Sequence, residues 1–244
     1  MRTAVISDIH GNLEAIKSVL EDIQSRQIDS IVSLGDNIGY GADSEEVIQL
    51  LISNNIPSVL GNHEAAVLND KVFNWYSGET KKAIRISIAS LSEDSLRYLR
   101  ELKPGISSTG CYFVHGFPPD SFRLYLDQVS DDKLRRAFTE MKDDICFVGH
   151  THKLRLFYYE NNQVLLHQMT REILKIQKQN KYIINVGSVG QPRDGSAKAN
   201  YVIWDSLSYQ LEIRAVEYDS ALAAKKILAA GIPSRFATMI NSKL

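Results

Sequence analysis

Eight side chains able to bind a metal ion or move a proton fall in five short clusters. Asp8 and His10 stand in SDIHGN, Asp36 in LGDN, Asn62 and His63 in GNHE, His115 in FVHG, and His150 and His152 in GHTH. Five of the six histidines are in these clusters. The set of Asp8, His10, Asp36, Asn62, His115, His150 and His152 offers carboxylate, imidazole and amide donors and no thiolate. That mixture suits Mn, Fe, Zn, Ni or Co better than Ca or Mg. On an extended segment alternate side chains share a face, so Asp8 with His10, and His150 with His152, can each reach one ion. Two ions close together need a group that touches both, and a carboxylate has two oxygens, which nominates Asp36. Glycines 35, 61, 116 and 149 flank these residues, where the chain must turn sharply and let backbone come close. The sixth histidine, His167 in VLLHQM, has no such neighbours and reads as an ordinary core or surface residue.

The elements that must position these groups are short apolar runs at residues 3 to 7, 30 to 34, 57 to 60, 111 to 114 and 145 to 148, each of which reads as a buried strand. Every one stops against a cluster, so the ligands are expected at strand carboxyl ends, where open α/β sheets place their sites. NLEAIKSVLEDIQSR reads as a helix capped by Asn12, and SEEVIQLLIS as one opened by a capping box of Asp43 and Glu46. Residues 62 to 102 read as helical, with a Ser92 cap near the end, and DDKLRRAFTEM as a helix behind Ser130. After His152 the texture is strand and turn through YQLEIRAV, and the tail from Asp219 returns to helix with a break at Gly231 to Pro233. The expectation is one domain over residues 1 to 244.

Bulk properties exclude several function classes. With 28 basic and 29 acidic residues the formal charge is −1, which gives no electrostatic footprint for general nucleic-acid binding. No apolar run is long enough for a bilayer span, and the apolar start is too short for a secretory signal. Cys111 and Cys146 sit singly in strand-like runs and read as buried thiols of a cytoplasmic protein. A homo-oligomer is compatible with all of this.

In order and spacing, Asp8-Ile9-His10, Gly35-Asp36 through Gly41, Gly61-Asn62-His63-Glu64, His115-Gly116 and Gly149-His150-Thr151-His152 resemble the motifs of the calcineurin-like metallophosphoesterase superfamily. Gly39-Tyr40-Gly41 and the run GSVGQPRDG, Gly187 to Gly195, resemble its small bacterial and archaeal phosphoesterase branch. The resemblance implies a four-layer αββα sandwich with the metal site at the strand ends. It implies two divalent ions, manganese favoured: Asp8, His10, Asp36 and His152 hold one, and Asp36, Asn62, His115 and His150 the other. A hydroxide bridging the ions would attack a small phosphate ester, a phosphodiester or nucleotide, with Asn62 and His63 facing the substrate and His63 protonating the leaving oxygen. Glu64 is a candidate to orient His63.

One departure bears on the substrate. The protein phosphatase branch carries an arginine after its second motif, and Gly35 to Gly41 has none, which weakens a serine/threonine phosphoprotein phosphatase reading and keeps a dinucleoside polyphosphate hydrolase as an alternative. Arg193 is the candidate replacement cation, against a plain Gly/Pro turn with a solvated arginine. Aromatics of the 64 to 80 stretch (Phe73, Trp75, Tyr76) and of the loop at 117 to 127 border the expected pocket and read first as packing. The rival of another class is a non-catalytic metal-binding scaffold for protein interaction. Retention of His63 argues against it.

Overall fold

Apolar side chains on both faces of a strand require a covering layer on each side, and this requirement sets the architecture. In the computed structural model, which describes residues 1–241, β1 (Arg2–Ile6), α1 (Leu13–Gln24), β2 (Ser30–Ser33) and α2 (Ser44–Ser53) come first. Helices α3 (Asn62–Leu68), α4 (Asp70–Phe73), α5 (Gly78–Ser90) and α6 (Glu93–Glu101) follow, then β3 (Gly105–Ser108), β4 (Cys111–Val114), α7 (Asp131–Glu140) and β5 (Ile145–Val148). The chain continues through β6 (Leu154–Glu160), β7 (Gln163–Gln168), β8 (Ile173–Lys175), β9 (Lys181–Val186), β10 (Ala199–Asp205) and β11 (Gln210–Val216) to α8 (Ser220–Ala229) and α9 (Ser234–Ile240).

The strands form two sheets, in the orders β2-β1-β10-β11-β8 and β3-β4-β5-β9-β6-β7. Alternation along each strand shows what the sheets face. In β1, Val5 enters the core between the sheets, while Ala4 and Ile6 pack with α1 and α2. In β5, Ile145 and Phe147 face the first sheet, and Cys146 and Val148 face Leu134 and Phe138 of α7. The order is helices, sheet, sheet, helix, the expected αββα sandwich. Cys111 and Cys146 are free and buried, and burial raises both thiols, Cys111 to about 12.

Three sequence expectations change. The run at 57 to 60 makes only isolated bridges, Ser33 with Ser58 and Val59 with Lys103, because Pro57 lacks a donor and the chain enters α3 at Asn62. The helical stretch of 62 to 102 is four helices, interrupted where Asn69 accepts from Lys71 N and where Ser92 accepts from Ser95 N. Asp43 precedes α2 without a side-chain cap; its carboxylate instead accepts from Lys226 of α8 at 3.0 Å. β3 was not anticipated, since GISS is half polar and pairs along one edge only, with β4. The Asn12 and Ser130 caps are as expected. Among the described residues no helix is long and apolar enough to cross a membrane.

Away from the site, Asp22 of α1 ties the first helix to the late strands. It accepts from Arg26, from Arg214 of β11 and from the Tyr201 hydroxyl of β10. Burial alone would raise this carboxyl, but the donors outweigh it and hold it well below the ordinary carboxylate range. A folded pKa below the unfolded one stabilises fully above about pH 3.9 and is lost as pH falls through the folded value. Asp22→Asn is therefore expected to cost about 1–3 kcal/mol at pH 7, with the gap from wild type closing in strong acid. Urea unfolding at both pH values measures it; a pH-independent gap would count against this account.

Candidate metal centre

Four of the five clusters sit just beyond a strand, the fifth opens α3, and at five of the site residues the backbone is not extended. Asp8, His10, Asp36, His150 and His152 all take positive φ, between 50° and 66°. Strand alternation therefore does not explain how Asp8 and His10 share a face; left-handed turns do, at a cost in strain that is typical of functional sites. The ligands also come from two sheets rather than one edge. Asp8, His10 and Asp36 follow β1 and β2, His115, His150 and His152 follow β4 and β5, and Asn62 and His63 begin α3. They meet where the carboxyl ends of both sheets converge, and all eight are buried.

Donor atoms of Asp8, His10 and His152 lie within 4.8 Å of one another, as do those of Asp36, His115 and His150, and those of His10, Asp36 and His63. Four histidines are pinned from behind by carbonyls. His10 Nδ1 donates to Ile38 O at 3.1 Å, His152 Nδ1 to Gln191 O at 2.6 Å, His115 Nδ1 to Leu34 O at 2.7 Å and His150 Nε2 to Arg123 O at 3.1 Å. With the proton fixed there, the other nitrogen of each neutral ring is a lone pair, the arrangement usual for a metal-binding imidazole. These lone pairs point at each other. His10 Nε2 lies 3.1 Å from His152 Nε2, and His115 Nε2 lies 3.1 Å from His150 Nδ1 and 2.9 Å from Asn62 Oδ1. Such crowding of acceptors asks for a cation in each place. Asp8 Oδ1 is buried with no hydrogen-bond partner, 3.2 Å from His152 Nε2. The residues present fit divalent cations.

The carboxylates divide their oxygens. Asp8 Oδ2 accepts from Ser7 Oγ and His150 N, which leaves Oδ1 free toward the histidines. Asp36 Oδ1 accepts from His63 N, and Oδ2 looks toward both clusters, 3.4 Å from His115 Nε2 and 3.9 Å from His10 Nε2. Burial opposes both charges, but the surrounding imidazoles prevail: His152 foremost lowers Asp8, and His115 foremost lowers Asp36. Burial also lowers His115, yet Asp36 beside it raises the ring overall to about 9, while burial and His115 push His150 down to about 3.

His63 differs from the other four. Its Nδ1 has no hydrogen-bond partner among the described residues, and its Nε2 is 3.9 Å from Asp36 Oδ2. The ring stands edge-on to Tyr40, 4.6 Å between centroids, and a Cβ on Gly39 would come within 2.2 Å of Nδ1. Glu64 does not touch His63, contrary to its expected orienting role. It accepts from the backbone N–H of Asp36, Asn37 and Gly61 at 2.7–3.0 Å, which shapes the Asp36 turn. Burial and the nearby Asp36 raise it to about 7.

Several residues that position the site were not apparent in the sequence. GSVGQPRDG is a brace: Ser188 Oγ and Gly190 N donate to Asp8 O, Val189 N donates to Ser7 O, and Gln191 O receives His152. Gly190 is required because a Cβ there would meet Ile9 O at 1.7 Å. Asn185 of β9 donates to Gly149 O and Thr151 Oγ1 and so fixes the GHTH turn. Arg193 is exposed at the rim, and its charge is felt by Tyr40, whose ring is tilted against His10 at 4.4 Å, and by Tyr125, which stacks on His150 at 4.0 Å. Of the bordering aromatics, Phe73 and Tyr76 pack against α3 and α5, while Trp75 is 47% exposed under the Arg123 guanidinium. His167 is a surface residue paired with Glu172.

This arrangement can be compared with known proteins. Residues 1–208 match the model of the calcineurin-like phosphoesterase superfamily domain. The chain belongs to this superfamily. An uncharacterized protein of Methanocaldococcus jannaschii is 36% identical over 236 residues, 94% of this chain and 93% of its own. The crystal structure of a metallophosphoesterase from Sphaerobacter thermophilus superposes with a TM-score of 0.85 at 30% identity over the whole of both chains. A shorter likeness, 35% identity over 71 residues, 28% of this chain and 26% of the other, is to the symmetrical bis(5'-nucleosyl)-tetraphosphatase of Erwinia tasmaniensis. The superfamily consists of phosphoesterases, which are hydrolases that typically use divalent metals, so the opposed lone pairs have a chemical reason.

A cation that binds only the folded chain stabilises it by about 2.7 kcal/mol at a hundredfold excess over its dissociation constant. Adding Mn²⁺ to chelator-treated, desalted protein is expected to raise the melting temperature by several degrees, and His152→Ala to shrink that rise. Equal shifts in wild type and variant would place the bound ion elsewhere.

Proposed function

We propose that this phosphoesterase hydrolyses a phosphodiester or nucleotide, and that it does so with two divalent ions, manganese foremost. Asp8, His10 and His152 would hold one ion, Asn62, His115 and His150 the other, and Asp36 both. The observation that carries this reading is the sorting of the histidines: four are backed by carbonyls and aim lone pairs inward, and the fifth, His63, is not. Bound there, the ions would supply an activated water and neutralise phosphoryl oxygens as charge shifts.

The chain's own residues do the rest. Carbonyls of Leu34, Ile38, Arg123 and Gln191 keep the four rings from turning, so the donor set is arranged before substrate arrives. His63 is left to meet the leaving oxygen. Burial depresses its affinity for a proton, with Asp36 pulling the other way. A phosphate anion entering beside it adds negative charge and raises that affinity. The imidazolium then gives its proton to the departing oxygen. Tyr40 and the bare Gly39 keep the ring in place. Retention of this residue also favours an enzyme over a scaffold.

His63→Gln is expected to keep the Mn²⁺-induced rise in melting temperature and to lose about 10² to 10⁴ in turnover of bis-p-nitrophenyl phosphate. Unchanged kcat in metal-replete variant protein would remove His63 from the reaction.

A further inference from the structure

Beside the metal centre a second concavity of about 600 Å³ lies between the two sheets, within the range of small-molecule sites. Leu154, Met169 and Ile213 give it apolar walls. Its charged lining is one-sided: Lys153, Arg155, Arg171, Arg193 and Lys198 against Asp194 alone. Asp194 is engaged in its own turn, accepting from Ser196 N and Asn200 Nδ2. Lys153 is paired with Asp127 and Lys198 with Glu217. Among the described residues the three arginines have no such ion pair; Arg155 donates only to Leu154 O, and the charge of Arg171 reaches Glu217 without a salt bridge. Three uncommitted guanidinium groups around one cleft are a poor arrangement for stability, because like charges repel, and a good one for bidentate binding of phosphate.

Two of the residues that line the cleft are tied to the backbone of the site. Lys153 follows His152 directly, Arg193 N donates to His152 O at 3.3 Å, and the Arg193 charge acts on Tyr40 and Tyr125, whose rings lie against His10 and His150. We infer that this cleft is an anion subsite continuous with the metal centre, and that it receives the further phosphate groups of a substrate longer than a single phosphate ester. The assignment to substrate rests on the phosphoesterase reading given above; the anion binding does not. Arg193 would stand between the phosphate under attack and the next one, with Arg155 and Arg171 farther along. A dinucleoside polyphosphate or a short run of phosphodiesters has the required spacing of charge, and a lone monoester does not.

Two measurements test this. Calorimetric titration of inorganic tripolyphosphate into chelator-treated, desalted wild-type protein is expected to show saturable binding that weakens as salt rises. Arg155→Glu/Arg171→Glu should lower that affinity at least tenfold, and the milder Arg155→Gln/Arg171→Gln serves if the first does not fold. Equal affinity in wild type and a folded variant overturns the subsite. The second measurement uses manganese-loaded protein and compares KM for a dinucleoside tetraphosphate with KM for bis-p-nitrophenyl phosphate. The glutamine variant should raise the first at least fivefold relative to the second. Loss of tripolyphosphate binding with an unchanged KM ratio makes the cleft a site for a separate anion and overturns the substrate assignment. Absence of all hydrolysis by wild type would instead count against the phosphoesterase reading, and leaves the calorimetric result standing.

Discussion

The rest of the structure depends on keeping many acceptor atoms together in a buried place. Imidazole lone pairs 3.1 Å apart, beside two carboxylates, repel one another and are out of reach of water. Folding alone does not reward this crowding, so it persists only because the surroundings over-determine it. The carbonyls behind the rings and the N–H groups on Asp8 Oδ2 and Asp36 Oδ1 do that work locally. On a larger scale the two sheets are fastened to each other by the core that fills the space between them. A cation turns the same crowding into attraction, which gives so costly an arrangement of donors a chemical reason.

Strand ends are a suitable place for such a set. A strand fixes where the chain leaves the sheet, and the first residues beyond it can adopt conformations that a strand forbids. Positive φ at five site residues aims Asp8 with His10, His150 with His152, and Asp36 by itself, from three short turns at one region. Because β1 and β2 belong to one sheet and β4 and β5 to the other, the site straddles the sandwich, and its geometry is as rigid as the packing of Val5 and Val202 against Phe147 and Ile184. Glu64 illustrates the economy of the design: one carboxylate shapes the Asp36 turn and opens α3, which carries Asn62 and His63.

Much of this was legible in the sequence, and the failures have physical reasons. Residue type and spacing were enough to find the eight side chains, since Asp, His and Asn next to glycine after an apolar run have few other uses. The αββα layering followed from the resemblance alone; runs such as ICFV, apolar on both faces, gave only buried strands. What could not be read were contacts between residues far apart in sequence. Ser188 braces Asp8 across 180 positions, and no local pattern distinguishes such a serine from one in a plain turn. Glu64 was misread because the adjacent His63 suggested a partner, whereas its carboxylate turns back toward backbone N–H groups. The run PSVL looked like a strand because its composition suits one, and Pro57 with the entry into α3 left it only isolated bridges.

The position of β10 bears on how the protein is made. β1 pairs on one side with β2, which follows within the first 33 residues, and on the other with β10, which ends at Asp205. At typical rates of synthesis those two events are about ten seconds or more apart. Throughout that interval the nascent chain carries an apolar strand with an open edge, the kind of surface that recruits other chains. Until the GSVG brace emerges, the Asp8 carbonyl lacks Ser188 and Gly190 and the His152 ring lacks the Gln191 carbonyl, although every donor side chain has already been made. The turns that carry the donor side chains therefore gain their last supports only once most of the chain has been made.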